Sequence, residues 1–201
     1  MAIDGSVKYT IEHKKTPAID VPHWDELNNA RTRLHQLGLV GITNEGIGYG
    51  NLSIRLRGYE FLITGTSTGA LKILTRNEYC LVNIFDLEKN HVISTGPIQA
   101  SSESMTHGAI YQASPDINCV IHIHSRIIFD AMLRDNYPST PTDAKFGTPE
   151  IAYAVKKCAE NLNKAEGAIV LAGHDEGIIA YGSSVENALN LILELNNKYK
   201  E

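Results

Sequence analysis

A three-layer α/β/α fold, with an antiparallel or mixed sheet covered by helices, is predicted by three features of the 201-residue sequence. Strand-like alternation is concentrated in the middle of the chain, segments with helical spacing flank it, and a block mixing both follows toward the C-terminus. With 43% apolar residues the chain can bury a sizeable core, and its length favours one domain over residues 1–201. No period of about 20–50 residues repeats and no segment is low in complexity, which speaks against a solenoid or two units joined by a linker.

Each element follows from its own pattern. Residues 1–20 read as an extended arm. The stretch "VPHWDELNNARTRLHQLGL" sets Trp24, Leu27, Ala30, Leu34 and Leu37 at helical spacing and stops at Gly38, which predicts an amphipathic helix. "EGIGYGNLSIRLRGYEFLIT" alternates on either side of Gly58, and "YCLVNIFDLEKNHVIS" does so around a turn near Lys89 and Asn90, so both read as antiparallel hairpins. Ser101 and Ser102 precede a helical pattern to about Ala113, "NCVIHIHS" reads as a buried strand and "RIIFDAMLRD" as a helix. Residues 149–163 look helical behind Pro149, "GAIVLA" and "GIIAYG" look like two strands, and Ser184 is placed to cap a last helix through about residue 198.

Composition narrows the function classes. The formal charge is −5 with both signs interspersed, so there is no basic footprint for nucleic acid or an anionic bilayer. No apolar run approaches the roughly 20 residues that cross a membrane, and the first residues lack a secretion signal, so a cytoplasmic location is expected. Cys80, Cys119 and Cys158 are odd in number, far apart and flanked by apolar residues, and read as reduced core thiols.

The strongest chemical signal is His122-Ile123-His124. Side chains at i and i+2 of a strand share a face about 7 Å apart, a spacing that suits two ligands of one ion. Imidazoles suit Zn²⁺ and its first-row neighbours, and a third ligand from elsewhere would leave a coordination position open for substrate or water. His174 in "LAGHDEG", at the end of an apolar strand, is the candidate third ligand, while His107 competes from the helix and His13, His23, His35 and His91 lie in segments that look exposed or amphipathic. Asp175 and Glu176 could be partners of the ligands, ligands themselves or solvated turn acids. Ser101-Ser102-Glu103 stands at a helix N-terminus, where free N–H groups favour an anion, although a plain cap by Ser101 or Ser102 explains it as well. Gly50-Asn51-Leu52-Ser53 and "TGTSTG" at 64–69 could offer backbone donors to an anion or simply be turns.

In this order and spacing, "GNLSIR", "SSESMTHGAIYQASPDINCVIHIHS" and "IVLAGHDEGIIAYG" resemble the class II aldolase/adducin family over roughly residues 25–195. The resemblance implies an α/β/α sandwich around a mostly antiparallel sheet, assembled as a homotetramer with active sites between subunits. It implies that His122, His124 and His174 bind Zn²⁺ or another divalent first-row metal, that Glu103 is the catalytic acid/base, and that Gly50, Asn51, Ser101 and Ser102 form a phosphate cradle. The implied activity is that of a lyase, an aldolase cleaving or forming a C–C bond beside the carbonyl of a small sugar phosphate or hydroxy-ketone through a metal-stabilised enediolate. The alternatives on this scaffold are an epimerase, a dehydratase and a non-catalytic interaction module. The chain departs from the pattern in three places: Asp175 and Glu176 stand between His174 and Gly177 where the family has His-Gly, "TGTSTG" is longer than usual, and the region before "FGTPE" is short. That shortening removes the expected tyrosine proton donor, for which Tyr181 and Tyr199 are the candidate replacements.

Overall fold

The alternating segments fold into one eight-stranded sheet in the computed structural model, which describes residues 9–200. Its strands, in chain order, are β1 (Thr10–Lys15), β4 (Asn51–Arg55), β5 (Phe61–Thr64), β6 (Tyr79–Asp86), β7 (His91–Gly96), β8 (Cys119–His124), β9 (Gly167–Val170) and β10 (Gly177–Gly182). A two-stranded ribbon of β2 (Gly41–Ile42) and β3 (Gly48–Tyr49) accompanies them. The sheet order is β1-β7-β6-β5-β4-β8-β10-β9, and every neighbouring pair is antiparallel except β1 with β7. The mostly antiparallel sheet therefore stands as expected. Within the extended arm, the Thr10–Lys15 segment pairs in parallel with β7, Thr10 opposite His91 and Lys15 opposite Gly96, and forms the sheet's edge. The first eight residues of that arm lie outside the described residues.

Five helices make the outer layers: α1 (Trp24–Gln36), α2 (Ser104–Ala113), α3 (Arg126–Arg134), α4 (Pro149–Leu162) and α5 (Val185–Tyr199). Their ends follow local chemistry. Ser184 Oγ accepts from Asn187 N at 3.1 Å and starts α5, while Pro149 opens α4 and Asn163 ends it in the left-handed region at φ 48°. Neither Ser101 nor Ser102 caps α2, contrary to the plain-cap expectation; Glu103 occupies that position.

Residues opposite one another on neighbouring strands point to the same side of a sheet, so the register sorts the two faces. Leu52, Ile54, Cys119, Ile121, Ile123, Ile178 and Ala180 face α1, α3 and α5 in one apolar layer. Val120, Ile169 and Ile179 point the other way, to a second layer with Ile110 of α2 and Ile151 and Val155 of α4. On that second face Asn51 lies opposite His122, Ser53 opposite Val120, and Gly177 opposite His124. Polar groups thus collect where the α2 layer meets the ends of β4, β8 and β10. Cys80 and Cys119 are buried, Cys158 is half-buried, and all three are free thiols. Among the described residues no helix is long and apolar enough to cross a membrane.

Candidate metal centre

His122 and His124 emerge from β8 on the α2/α4 face, and the β9–β10 turn brings His174 to them. That turn is closed by three backbone bonds: His174 N donates to Leu171 O at 2.8 Å, Leu171 N to Gly177 O at 2.9 Å, and Gly177 N to His174 O at 2.9 Å. Gly173 is required there, because a Cβ would stand 1.8 Å from Ala144 O. One candidate ligand atom from each of the three imidazoles lies within 4.8 Å of the others, and the Nε2 atoms of His124 and His174 are 3.1 Å apart. The Phe146 ring stacks on His174 at 5.0 Å between centroids and Tyr49 tilts against His124 at 5.5 Å.

The electrostatics of this cluster fit a cation. His122 is 1% exposed and both of its ring nitrogens are buried without a hydrogen-bond partner among the described residues. Leaving a buried polar atom unpaired costs about 1–3 kcal/mol, which a bound cation would relieve. Burial, and then the neighbouring imidazoles of His124, His174 and His107, hold His122 well below the usual histidine range, so the ring stays neutral and one nitrogen keeps a lone pair for a cation. An all-imidazole donor set matches Zn²⁺ and its neighbours in the first transition row, and three protein ligands leave a coordination position for substrate.

Asp175 and Glu176 are not built into this cluster. Arg126 holds both, Nη2 to Asp175 Oδ2 at 2.5 Å and Nε to Glu176 Oε1 at 3.3 Å, on the exposed side of the turn. Tyr199 Oη donates to Asp135 Oδ2 at 2.6 Å at the end of α5, and Tyr181 Oη is buried beside Gly167, four residues or about 13 Å of strand from Gly177. His13, His23 and His91 pair with Ser94, Glu26 and Glu12, away from the three imidazoles.

His107 is fully buried behind the site. Its Nδ1 is 2.7 Å from Ser53 Oγ, which is 2.7 Å from Tyr111 Oη, and desolvation pushes its pKa down to about 3. The unfolded chain would protonate it near pH 6.5, so its stabilising contribution is complete above that value and is lost progressively as pH falls toward about 3, at up to about 1.4 kcal/mol per pH unit. In urea unfolding with a metal chelator present, wild type should therefore lose about 2 kcal/mol more stability between pH 7 and pH 5 than the His107→Asn variant does.

Gly50, Asn51, Ser101 and Ser102 line one cavity of about 310 Å³, together with Gly46–Tyr49 and Gly65–Gly69. Gly50 has φ +76°, and a Cβ there would meet Val40 Cγ1 at 2.5 Å and His122 O at 3.0 Å, so the cavity wall sits directly on the strand that carries the imidazoles. Thr66, Ser67 and Thr68 also line it; their hydroxyl-rich turn was the only sequence sign of this. Thr64 is instead part of the sheet, its Oγ1 accepting from Leu52 N at 3.3 Å. Glu103 follows the two serines, 3% exposed, with Oε2 accepting from Thr106 Oγ1 at 2.9 Å.

The sequence profile of the class II aldolase and adducin N-terminal domain matches residues 26–200. The chain belongs to this family. Within it, the chain is 28% identical over 170 residues to the 3-oxo-tetronate 4-phosphate decarboxylase of Haemophilus influenzae, covering 76% of each chain. It is 30% identical over 153 residues to the L-fuculose phosphate aldolase of Methanococcus maripaludis, covering 69% of this chain and 76% of the relative. A solved L-fuculose 1-phosphate aldolase superposes with a TM-score of 0.69 at 25% identity, covering 91% of this chain and 85% of the other. Both the layering and the antiparallel sheet are thus those of class II aldolases.

Proposed function

We propose that this class II aldolase family member is a divalent-metal-dependent lyase that breaks or forms a C–C bond beside the carbonyl of a small phosphorylated hydroxy-ketone. The observation that carries the proposal is the convergence of His122, His124 and His174 next to a cavity lined by Gly50, Asn51, Ser101 and Ser102. His122, His124 and His174 would hold Zn²⁺ or a first-row neighbour, which would supply positive charge beside the substrate oxygens. Backbone and hydroxyl donors of the cavity orient the substrate by its phosphate. Glu103, buried at the start of α2, moves the proton between substrate carbon and solvent.

Incubating the Zn²⁺-loaded protein with ketose phosphates and following the products by NMR tests this reading. A ketone fragment plus an aldehyde is the expected result; an epimer or a dehydrated ketone would transfer the chain to the other chemistries of this scaffold. A second reading, decarboxylation of a phosphorylated 3-oxo acid, is supported by the relative from Haemophilus influenzae. It breaks a bond in the same position relative to a carbonyl and would release carbon dioxide in place of an aldehyde. Purified protein that takes up no Zn²⁺ would instead indicate a non-catalytic module. We further propose that the protein works in the cytoplasm as a homotetramer; the exposed apolar side chains of Ile42, Leu71 and Ile73 support burial in an assembly of some kind.

A further inference from the structure

The family match begins at residue 26, yet a side chain that precedes it binds the backbone of Ser101, a residue that lines the cavity. Tyr9 leads into β1, is 6% exposed, and its Oη donates to Ser101 O at 2.7 Å, with Ala100 O at 3.5 Å. The strand behind it is well anchored: Thr10 N donates to Asn90 O at 2.9 Å, Thr16 N to Gly96 O at 3.0 Å, and His13 Nδ1 lies 3.0 Å from Ser94 Oγ. The same Ser101 carbonyl also accepts from Ser104 Oγ at 2.7 Å and Ser104 N at 3.1 Å. Three donors converge on one oxygen, which fixes the plane of the Ser101–Ser102 peptide. In a trans peptide the N–H points opposite to the C=O, so anchoring this oxygen also directs the Ser102 N–H.

We infer that Tyr9 is a positioning residue for the candidate anion cradle: by holding the Ser101 carbonyl on the core side, it turns the Ser102 N–H toward the cavity that Ser101 and Ser102 line. This rests on the proposed reading of that cavity as a phosphate site. Without the phenol, the peptide can rock about its neighbouring torsions, and the donor is no longer set in advance for the anion. The N-terminal strand thereby becomes part of the binding apparatus and not only an edge of the sheet.

The test is calorimetric titration of the full-length, Zn²⁺-loaded protein with inorganic phosphate, comparing wild type, Tyr9→Phe and Ser104→Ala. Tyr9→Phe removes only the hydroxyl, and is expected to weaken phosphate binding by about three- to tenfold, as for one lost hydrogen bond, with Zn²⁺ affinity unchanged. Ser104→Ala removes a second donor to the same carbonyl and should act in the same direction. A wild type that binds no phosphate would overturn the cradle and this inference together. Phosphate binding by wild type that Tyr9→Phe leaves unaltered would overturn the role of Tyr9 alone. Parallel loss of Zn²⁺ and phosphate affinity in Tyr9→Phe would make the phenol a general scaffold group and would also overturn it.

Discussion

Replacing His122 by alanine is expected to abolish tight Zn²⁺ uptake while leaving the metal-free protein close to wild type in stability. The two halves of this result have different physical origins. Loss of one of three imidazole ligands should lower metal affinity on the order of 10³-fold, about 4 kcal/mol, because binding by the remaining pair forfeits both a bond and the preformed geometry. In the metal-free chain, truncation of this buried side chain removes packing worth about 2–5 kcal/mol but also removes two buried nitrogens that have no partner among the described residues, together costing about 2–6 kcal/mol. These terms offset, so unfolding in chelator should change by no more than about 1–2 kcal/mol. Adding Zn²⁺ should then raise the thermal midpoint of wild type but not of the variant. Chelator-competition titration reads the first half and scanning calorimetry the second. Unchanged zinc stoichiometry in His122→Ala would remove the proposed centre.

Much of this centre is legible in the sequence because it depends on local periodicity. His122 and His124 share a face by the two-residue repeat of a strand, and β8 is apolar enough to be read as one. His174 is legible as a residue at the end of an apolar strand, but its convergence with the pair is a consequence of β10 lying next to β8, a pairing that local pattern does not specify. The parts that are not legible are long-range contacts. β1, of sequence TIEHKK, pairs with a strand some 80 positions later and carries mostly exposed polar side chains at a sheet edge, so it reads as an arm. Phe146 against His174 and Tyr49 against His124 are placed by tertiary packing and leave no local pattern. Arg126 claims Asp175 and Glu176, which decides between the readings those two acids left open. Ser101 and Ser102 look like caps by residue type; with Ser104 Oγ and Tyr9 Oη both bound to Ser101 O, the helix starts after them.

Glu103→Gln is the variant that separates chemistry from architecture at this site. Glutamine has the same shape, stays buried, and can still accept the 2.9 Å bond from Thr106 Oγ1. What it lacks is a carboxyl group that can take and return a proton. Turnover is therefore expected to fall by roughly 10² to 10⁴, about 3–5 kcal/mol in the barrier, with Zn²⁺ content unchanged. A smaller structural effect accompanies it, since the negative charge at the α2 N-terminus is also removed, worth about 0.3–1 kcal/mol of stability. The two are distinguishable: loss of the helix-end charge lowers the unfolding free energy, whereas loss of the proton carrier lowers kcat and flattens the pH profile of the reaction. Glu103→Asp restores the charge on a shorter arm, so it should recover the stability before it recovers the rate. A Glu103→Gln protein with wild-type kcat would mean that Glu103 only stabilises the start of α2 and that another group carries the proton.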